Sequence, residues 1–207
     1  MSGSRGRADG RPPRSGTAAV LAVALAAVCG CGTGGDGGSA SAPARSATQR
    51  ITVTSPAYAD GGAIPGRYTC DGADVSPPLD LSGVPTGTAS LALLLQDPDA
   101  PHGTFTHWLA WDIGPHTTHL AAAEHPEGAV DGRNDFGRTG YGGPCPPRGD
   151  HPHRYVLTVY ATDRRPSLPP DTTATGLLRS LTGHTLATGA LTGRYERQSG
   201  SGGKGHP

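Results

Sequence analysis

Hydrophobic residues in this chain are grouped in short runs instead of long helical patterns. Gly, Pro and Asp clusters separate runs rich in Val, Ile, Leu, Thr and aromatic residues, which is typical of β-strands joined by irregular loops. The predicted strands are Ile51–Thr54, Ser90–Gln96, Phe105–Ile113, Tyr155–Ala161 and Ala190–Tyr195. The pattern therefore predicts a mainly β domain with few helices.

One helix is predicted, near Thr173–Leu181. Leu177, Leu178 and Leu181 share a face at helical spacing, and Gly183 is a suitable stop.

Alternation along three of the strands places a polar residue on each apolar face. Side chains two apart point the same way on a strand, so Asp97 follows Leu91, Leu93 and Leu95, and His153 precedes Tyr155, Leu157 and Val159. His107 falls in the series Phe105, His107, Leu109, Trp111, Ile113. If these strand ends meet, the polar groups converge over an apolar floor, as in small-ligand sites. Alternatively, each is a separate buried polar residue with its own partner.

The first 30 residues have the anatomy of an export signal. Four arginines precede an apolar stretch, Ala18–Val28, which is short for a membrane span. The following Val28-Cys29-Gly30-Cys31 resembles a bacterial lipoprotein signal with Cys31 as the lipidated residue. An ordinary secretory signal with two incidental cysteines is the alternative.

The remaining organisation follows from composition. Residues 31–50 are rich in Gly, Ser and Ala and are predicted to be a flexible tether, and residues 198–207 a disordered tail. The folded domain is predicted at residues 51–197. An exported chain meets oxidising conditions, so a disulfide between Cys70 and Cys145 is plausible, although two buried free thiols are the alternative.

Charge argues against nucleic acid as a partner. The full chain has a net charge of zero, and removal of residues 1–30, with four Arg and one Asp, leaves about −3. The chain contains no basic stripe interleaved with aromatic residues. The export signal of residues 1–30 is the only sequence feature that indicates association with a membrane.

Two segments hold most of the candidate chemistry. The first contains Asp97 and Asp99 around Pro98; Asp97 could orient a histidine, while Asp99 could either cap its own turn or contact a ligand. His107 and His153 could bind anionic oxygens as imidazolium ions. The second segment contains Gly140, Gly142 and Gly143, whose backbone N–H groups could form an anion-binding nest.

Other site types are less well supported. His151-Pro152-His153 resembles a metal-binding pair that Asp97 or His107 could complete, but no HExxH-type spacing accompanies it. Ser76 and Ser90 lack the glycine elbow of a nucleophilic serine.

Several separated motifs, in order, resemble the phosphatidylethanolamine-binding proteins, also called Raf kinase inhibitor proteins. These are Asp97–Pro101, His107-Trp108, Gly143–Gly149 and His153–Tyr155. Details of the bacterial YbhB/YbcL branch are present at Tyr68–Gly72, Ser76–Leu79 and Asn134–Gly137, and Leu191–Tyr195 resembles the last strand of the family. The resemblance covers roughly residues 51–197.

The resemblance implies a β-sandwich with a large antiparallel sheet, a smaller sheet and a few peripheral short helices. It implies a pocket for phosphate, phosphorylated head groups or small anions, without a metal or another cofactor. The pocket residues carried over by position are Asp97, Asp99, His107, Pro146, His153 and Tyr155, with Gly143 and Pro144 shaping the adjoining loop.

The functional expectation is a non-enzymatic, lipid-anchored ligand-binding module outside the cytoplasmic membrane. A protein-interaction module such as a protease inhibitor, acting through a loop such as Arg164–Asp171, is an alternative from another class. A metal-dependent hydrolase is a third. Neither a protein target nor homodimerisation can be read from the sequence.

Overall fold

Two antiparallel sheets form the fold. The computed structural model describes residues 49–199. The larger sheet has the strand order β6-β4-β3-β7-β8, and the smaller sheet has the order β1-β2-β5. The strands are β1 (Thr52–Thr54), β2 (Leu79–Ser82), β3 (Ser90–Asp97), β4 (Phe105–Ile113), β5 (His119–Leu120), β6 (Val130–Asp131), β7 (His153–Thr162) and β8 (Thr185–Tyr195). The mainly β prediction is confirmed.

The main core lies between the two sheets. It is formed by alternate residues of β3 and β7, including Leu91, Leu93 and Leu157, and by Leu79 and Leu81 of β2. The strand β3 is buried on both faces, because Ala92 and Leu94 point into a second cluster on the other side of the larger sheet. A central strand covered on both sides has a continuous apolar sequence, as Leu91–Leu95 has.

The helix α1 (Ala174–Leu181) covers that second face. Leu177 and Leu181 are buried against Leu94, Leu109 and Trp111. Gly183, at φ +78°, adopts the left-handed backbone that follows many helix ends. Leu178, predicted on the same face, is instead 38% exposed.

Strand β4 departs from simple alternation at two bulges. Leu95 pairs with Trp108 but Gln96 pairs with Thr106, so His107 is an extra residue in its strand.

A second irregularity lies between Ala110 and Ile113, where Asp112 has a φ of +60°. The prediction that Leu109 and Trp111 share the face of His107 is therefore wrong, since both pack beneath α1.

The cysteine prediction is confirmed by a Cys70–Cys145 disulfide with a Cα–Cα distance of 5.4 Å. The predicted signal, the lipidation residue Cys31 and nearly all of the tether and tail lie outside the described residues. Arg50, the last residue of the predicted tether, already forms a bridge with Thr188. Between residues 49 and 199, no helix is long and apolar enough to span a bilayer.

Candidate functional site

A cavity of about 570 Å³ lies where the ends of β3, β4 and β7 meet. Its polar lining residues are Asp97, His102, Thr104, His107, Asp135, His153 and Arg197. Its apolar lining includes Pro101, Phe105, Phe136, Pro146 and Pro147. The predicted convergence of Asp97, His107 and His153 in one hollow is therefore present in the structure.

A hydrogen bond between a histidine and an aspartate side chain joins the ends of β7 and β3 in the cavity. His153 Nδ1 lies 2.8 Å from Asp97 Oδ2, and its Nε2 lies 3.3 Å from Asp150 Oδ2. Burial lowers the pKa of His153, but the hydrogen bonds to the two carboxylates outweigh it, so the pKa is raised above its ordinary value. Both ring nitrogens of His153 therefore face carboxylate oxygens, and this arrangement favours the protonated ring.

His107 has a different charge state because its partners are carbonyl groups. Its Nδ1 lies 2.8 Å from the Gly142 oxygen and 3.1 Å from the Gly143 oxygen. A carbonyl oxygen only accepts, so Nδ1 holds a proton. Burial lowers the pKa of His107, against the opposing effect of these bonds. The ring is thus neutral near pH 7, and its Nε2 is left as the atom that can meet a ligand.

The glycine segment holds His107 through its carbonyls and does not form the predicted anion nest with its amides. The Gly142 N–H donates to the His107 carbonyl at 3.0 Å, and the Gly143 N–H donates to Asp74 Oδ1 at 2.7 Å. Close packing explains the glycine at position 143, because a Cβ there would lie 2.6 Å from the Tyr68 oxygen. Gly143 and Pro144 thus shape the loop behind the cavity, while Cys145 and Pro146 line it.

Tyr155 lies beneath the cavity and does not line it. Its side chain is fully buried, and its ring meets the edge of the His107 ring at a centroid distance of 5.1 Å. Burial and the negative charge of Asp97 both raise the pKa of the Tyr155 hydroxyl. Among residues 49–199 this hydroxyl has no hydrogen-bond partner.

The carboxylate of Asp99 faces away from the cavity. It accepts two bonds from the Arg154 guanidinium, at 2.7 and 2.9 Å, and a third from the Arg154 N–H. The side-chain bond from Arg154 is the main reason that the pKa of Asp99 lies well below its usual range. The turn-capping role considered for Asp99 belongs to Asp97, whose Oδ1 accepts the Asp99 N–H at 2.8 Å.

Sequence reasoning missed Arg197 and the aromatic rim. Arg197 follows β8 and is held by Asp71 through three contacts of 2.9–3.2 Å. No local pattern marks it, because Asp71 lies 126 residues earlier. Phe136 packs edge-on against Phe105 and His107 at the cavity mouth and is 42% exposed. Phe136 belongs to the motif Asn134–Gly137, which carries part of the family resemblance and could have indicated this residue.

The cavity contains charges of both signs. Asp97 is offset by His153, Asp135 accepts the Thr106 N–H, and Arg197 shares its charge with Asp71. An anionic ligand would therefore be held by specific hydrogen bonds more than by a large positive potential. A ligand with both an anionic and a cationic group also suits these walls.

Comparison with known proteins places this geometry in a family. The family model of the phosphatidylethanolamine-binding proteins matches residues 54–196. The UPF0098 protein PH1269 of Pyrococcus horikoshii is 44% identical over 70% of this chain and 76% of its own length. A Mycobacterium tuberculosis protein named "Putative lipoprotein LppC" is 38% identical over 72% of this chain and 74% of its own length.

A solved structure agrees. Escherichia coli YbcL, described as a member of the mammalian PEBP family, has a TM-score of 0.68 and 35% identity, covering 72% of this chain and 99% of YbcL. The strand order, the two-sheet core and these similarities lead to one conclusion. The chain belongs to the phosphatidylethanolamine-binding protein family.

Proposed function

We propose that this protein is a non-enzymatic binding module whose cavity takes a small anionic or phosphorylated ligand. The observation that carries the proposal is the convergence of Asp97, His107 and His153, from three strands, on one cavity of about 570 Å³. The cavity also contains the Arg197 side chain.

The contacts support a separate proposed role for each polar group. His107 Nε2 is the group that contacts the anionic oxygen, either by taking up a proton or by accepting one from a protonated phosphate. Arg197 supports the negative charge. Asp97 and Asp135 supply acceptors for an ammonium group, so a zwitterionic head group such as phosphoethanolamine binds more tightly than inorganic phosphate. This ligand class agrees with the name of the family model.

The ligand proposal is tested by replacing His107 and measuring affinity by calorimetry. We expect His107→Ala to weaken binding of O-phosphoethanolamine by tenfold to a hundredfold, because a hydrogen bond to a charged group contributes about 1.5–3 kcal/mol.

The matched control is His184→Ala. His184 is a hydrogen-bonded histidine, with Nδ1 at 2.9 Å from Asp163 Oδ1, and it does not line the cavity. Equal affinity of both variants and the wild type, with the His107 variant still folded, would exclude His107 as a ligand contact.

We also propose that the protein acts outside the cytoplasmic membrane, anchored by lipid on Cys31. Three observations support this: the signal anatomy of residues 1–30, the Cys70–Cys145 disulfide, and the name of the mycobacterial relative.

The location is tested by mass spectrometry of protein isolated from its own host. We expect a mature N-terminus at Cys31 with an added lipid mass, and no lipid on a Cys31→Ser variant. A mature chain that begins at another residue and lacks lipid would contradict the anchor.

A further inference from the structure

The loop before β7 brings a carboxylate and a second histidine to His153. One ligand atom from each of Asp150, His151 and His153 lies within 4.8 Å of the others. Asp150 stands between the two rings, with Oδ1 at 2.8 Å from His151 Nδ1 and Oδ2 at 3.3 Å from His153 Nε2. The sequence pattern suggested Asp97 or His107 as the third member, and the structure places Asp150 there.

Asp97 prepares His153 for this role. By accepting the Nδ1 proton at 2.8 Å, it directs the other ring nitrogen towards Asp150. A bare Nε2 lone pair facing a carboxylate is unfavourable, so a cation must lie between them, either a proton or a metal ion. Imidazoles that bind metals commonly donate their other N–H to a carboxylate, as His153 does here.

The spacing of His153 and Asp150 and the exposure of His151 suit a small cation. Two ligands of a tetrahedral zinc ion, with bonds of about 2.0–2.1 Å, lie roughly 3.4 Å apart. His153 Nε2 and Asp150 Oδ2 already have this separation, at 3.3 Å. The His151 side chain is 67% exposed and can close on the ion by rotating.

We propose that Asp150, His151 and His153 form a binding site for Zn²⁺ or a similar late first-row divalent cation, with Asp97 positioning His153. Two imidazoles and one carboxylate are a donor set that such cations favour. The site is separate from the proposed anion contact at His107, although both adjoin the same cavity.

The test is a titration of the intact chain, in detergent, with Zn²⁺ in competition with a chromophoric chelator. We expect one equivalent to bind, and His151→Ala to weaken its binding at least tenfold. Because His151 is exposed, this variant should remain folded. Asp97→Asn should weaken it by about tenfold to a hundredfold. His184→Ala, which removes another histidine–aspartate pair, should leave it unchanged.

A second measurement identifies the ligand atoms. In ¹⁵N NMR of histidine side chains, Zn²⁺ should shift His153 Nε2 while Nδ1 keeps its proton. Zinc affinity that is the same in wild type and His151→Ala, or an unshifted His153, would overturn the proposal. The two proposals fail independently, since His107→Ala should weaken phosphoethanolamine binding and leave zinc binding intact.

Discussion

At the scale of single residues, the partners of each histidine decide its charge. Both ring nitrogens of His153 face carboxylates, and the hydrogen bonds to them raise its pKa above the ordinary value. His107 donates one proton to backbone carbonyls, and burial lowers its pKa below 6.5. The same residue type is thus held between two carboxylates at one strand end and is a titratable ligand contact at another.

Binding of an anion should therefore depend on pH through His107. The neutral ring of the free protein must gain a proton to donate from Nε2, so affinity should increase as the pH falls from 8 to about 5.5. One coupled proton changes affinity by at most about tenfold per pH unit. Sulfate is the suitable probe for calorimetry, because its charge is constant over this range.

Calorimetry in buffers of different ionisation enthalpy should also show proton uptake with sulfate. The uptake should disappear in His107→Gln, which keeps a polar group at the same position. A pH-independent affinity in the wild type would mean that the His107 ring does not take up the proton.

The site residues that could be predicted from the sequence are those on strands, where side chains alternate between the two faces of the sheet. Alternation on β3 and β7 correctly placed Asp97 and His153 on the inner face. Asp150 lies in the loop before β7, and Arg197 lies two residues after β8, so side-chain alternation does not predict where either one points. Their positions depend on pairing between residues 148 and 197, which are distant in sequence.

At the scale of elements, the four long strands and the short strand β1 were predicted, although only the second half of β8 was, and the other short strands were not. The bounds of β4 match the prediction, but strands of two residues, such as β5 and β6, are too short to show alternation. The bulge at His107 also has no signal in a hydrophobicity pattern. It moves Leu109 and Trp111 to the helix side while His107 remains at the cavity.

The packing of α1 predicts that two neighbouring leucines contribute differently to stability. Leu177→Ala should lower the free energy of unfolding by about 2–4 kcal/mol, because it leaves a cavity under the helix. Leu178→Ala should change it by about 0.5 kcal/mol or less, since Leu178 is partly exposed. Urea denaturation of both variants measures the difference. Similar losses in the two would contradict the observed orientation of the helix.

At the scale of the whole molecule, the disulfide connects distant parts of the chain at the cavity wall. Cys145 lines the cavity and is bonded to Cys70, which also donates its N–H to the Pro144 carbonyl at 3.1 Å. The bond closes a loop with a sequence separation of 75 residues. Loops of this length restrict the unfolded chain strongly.

Loss of the disulfide should therefore be costly. In the chain-entropy treatment, the double variant Cys70→Ser/Cys145→Ser loses about 4 kcal/mol of unfolding free energy. Denaturant titration of the oxidised wild type against this variant provides the measurement. A loss below about 1 kcal/mol would show that the unfolded chain is already restricted in this region.

The chain after β8 passes the cavity, and this position limits where a tag can be attached for binding measurements. Arg197 lines the cavity, and its carbonyl accepts the Gly149 N–H at 2.9 Å. An affinity tag, fluorophore or surface linker fused directly after residue 199 would therefore begin two residues from a residue that lines the cavity. A histidine tag would also add imidazole groups that compete for Zn²⁺ in the titration. Purification handles and immobilisation points are better placed on the exposed loop around Gly87, which is remote from these residues in sequence and absent from the cavity lining.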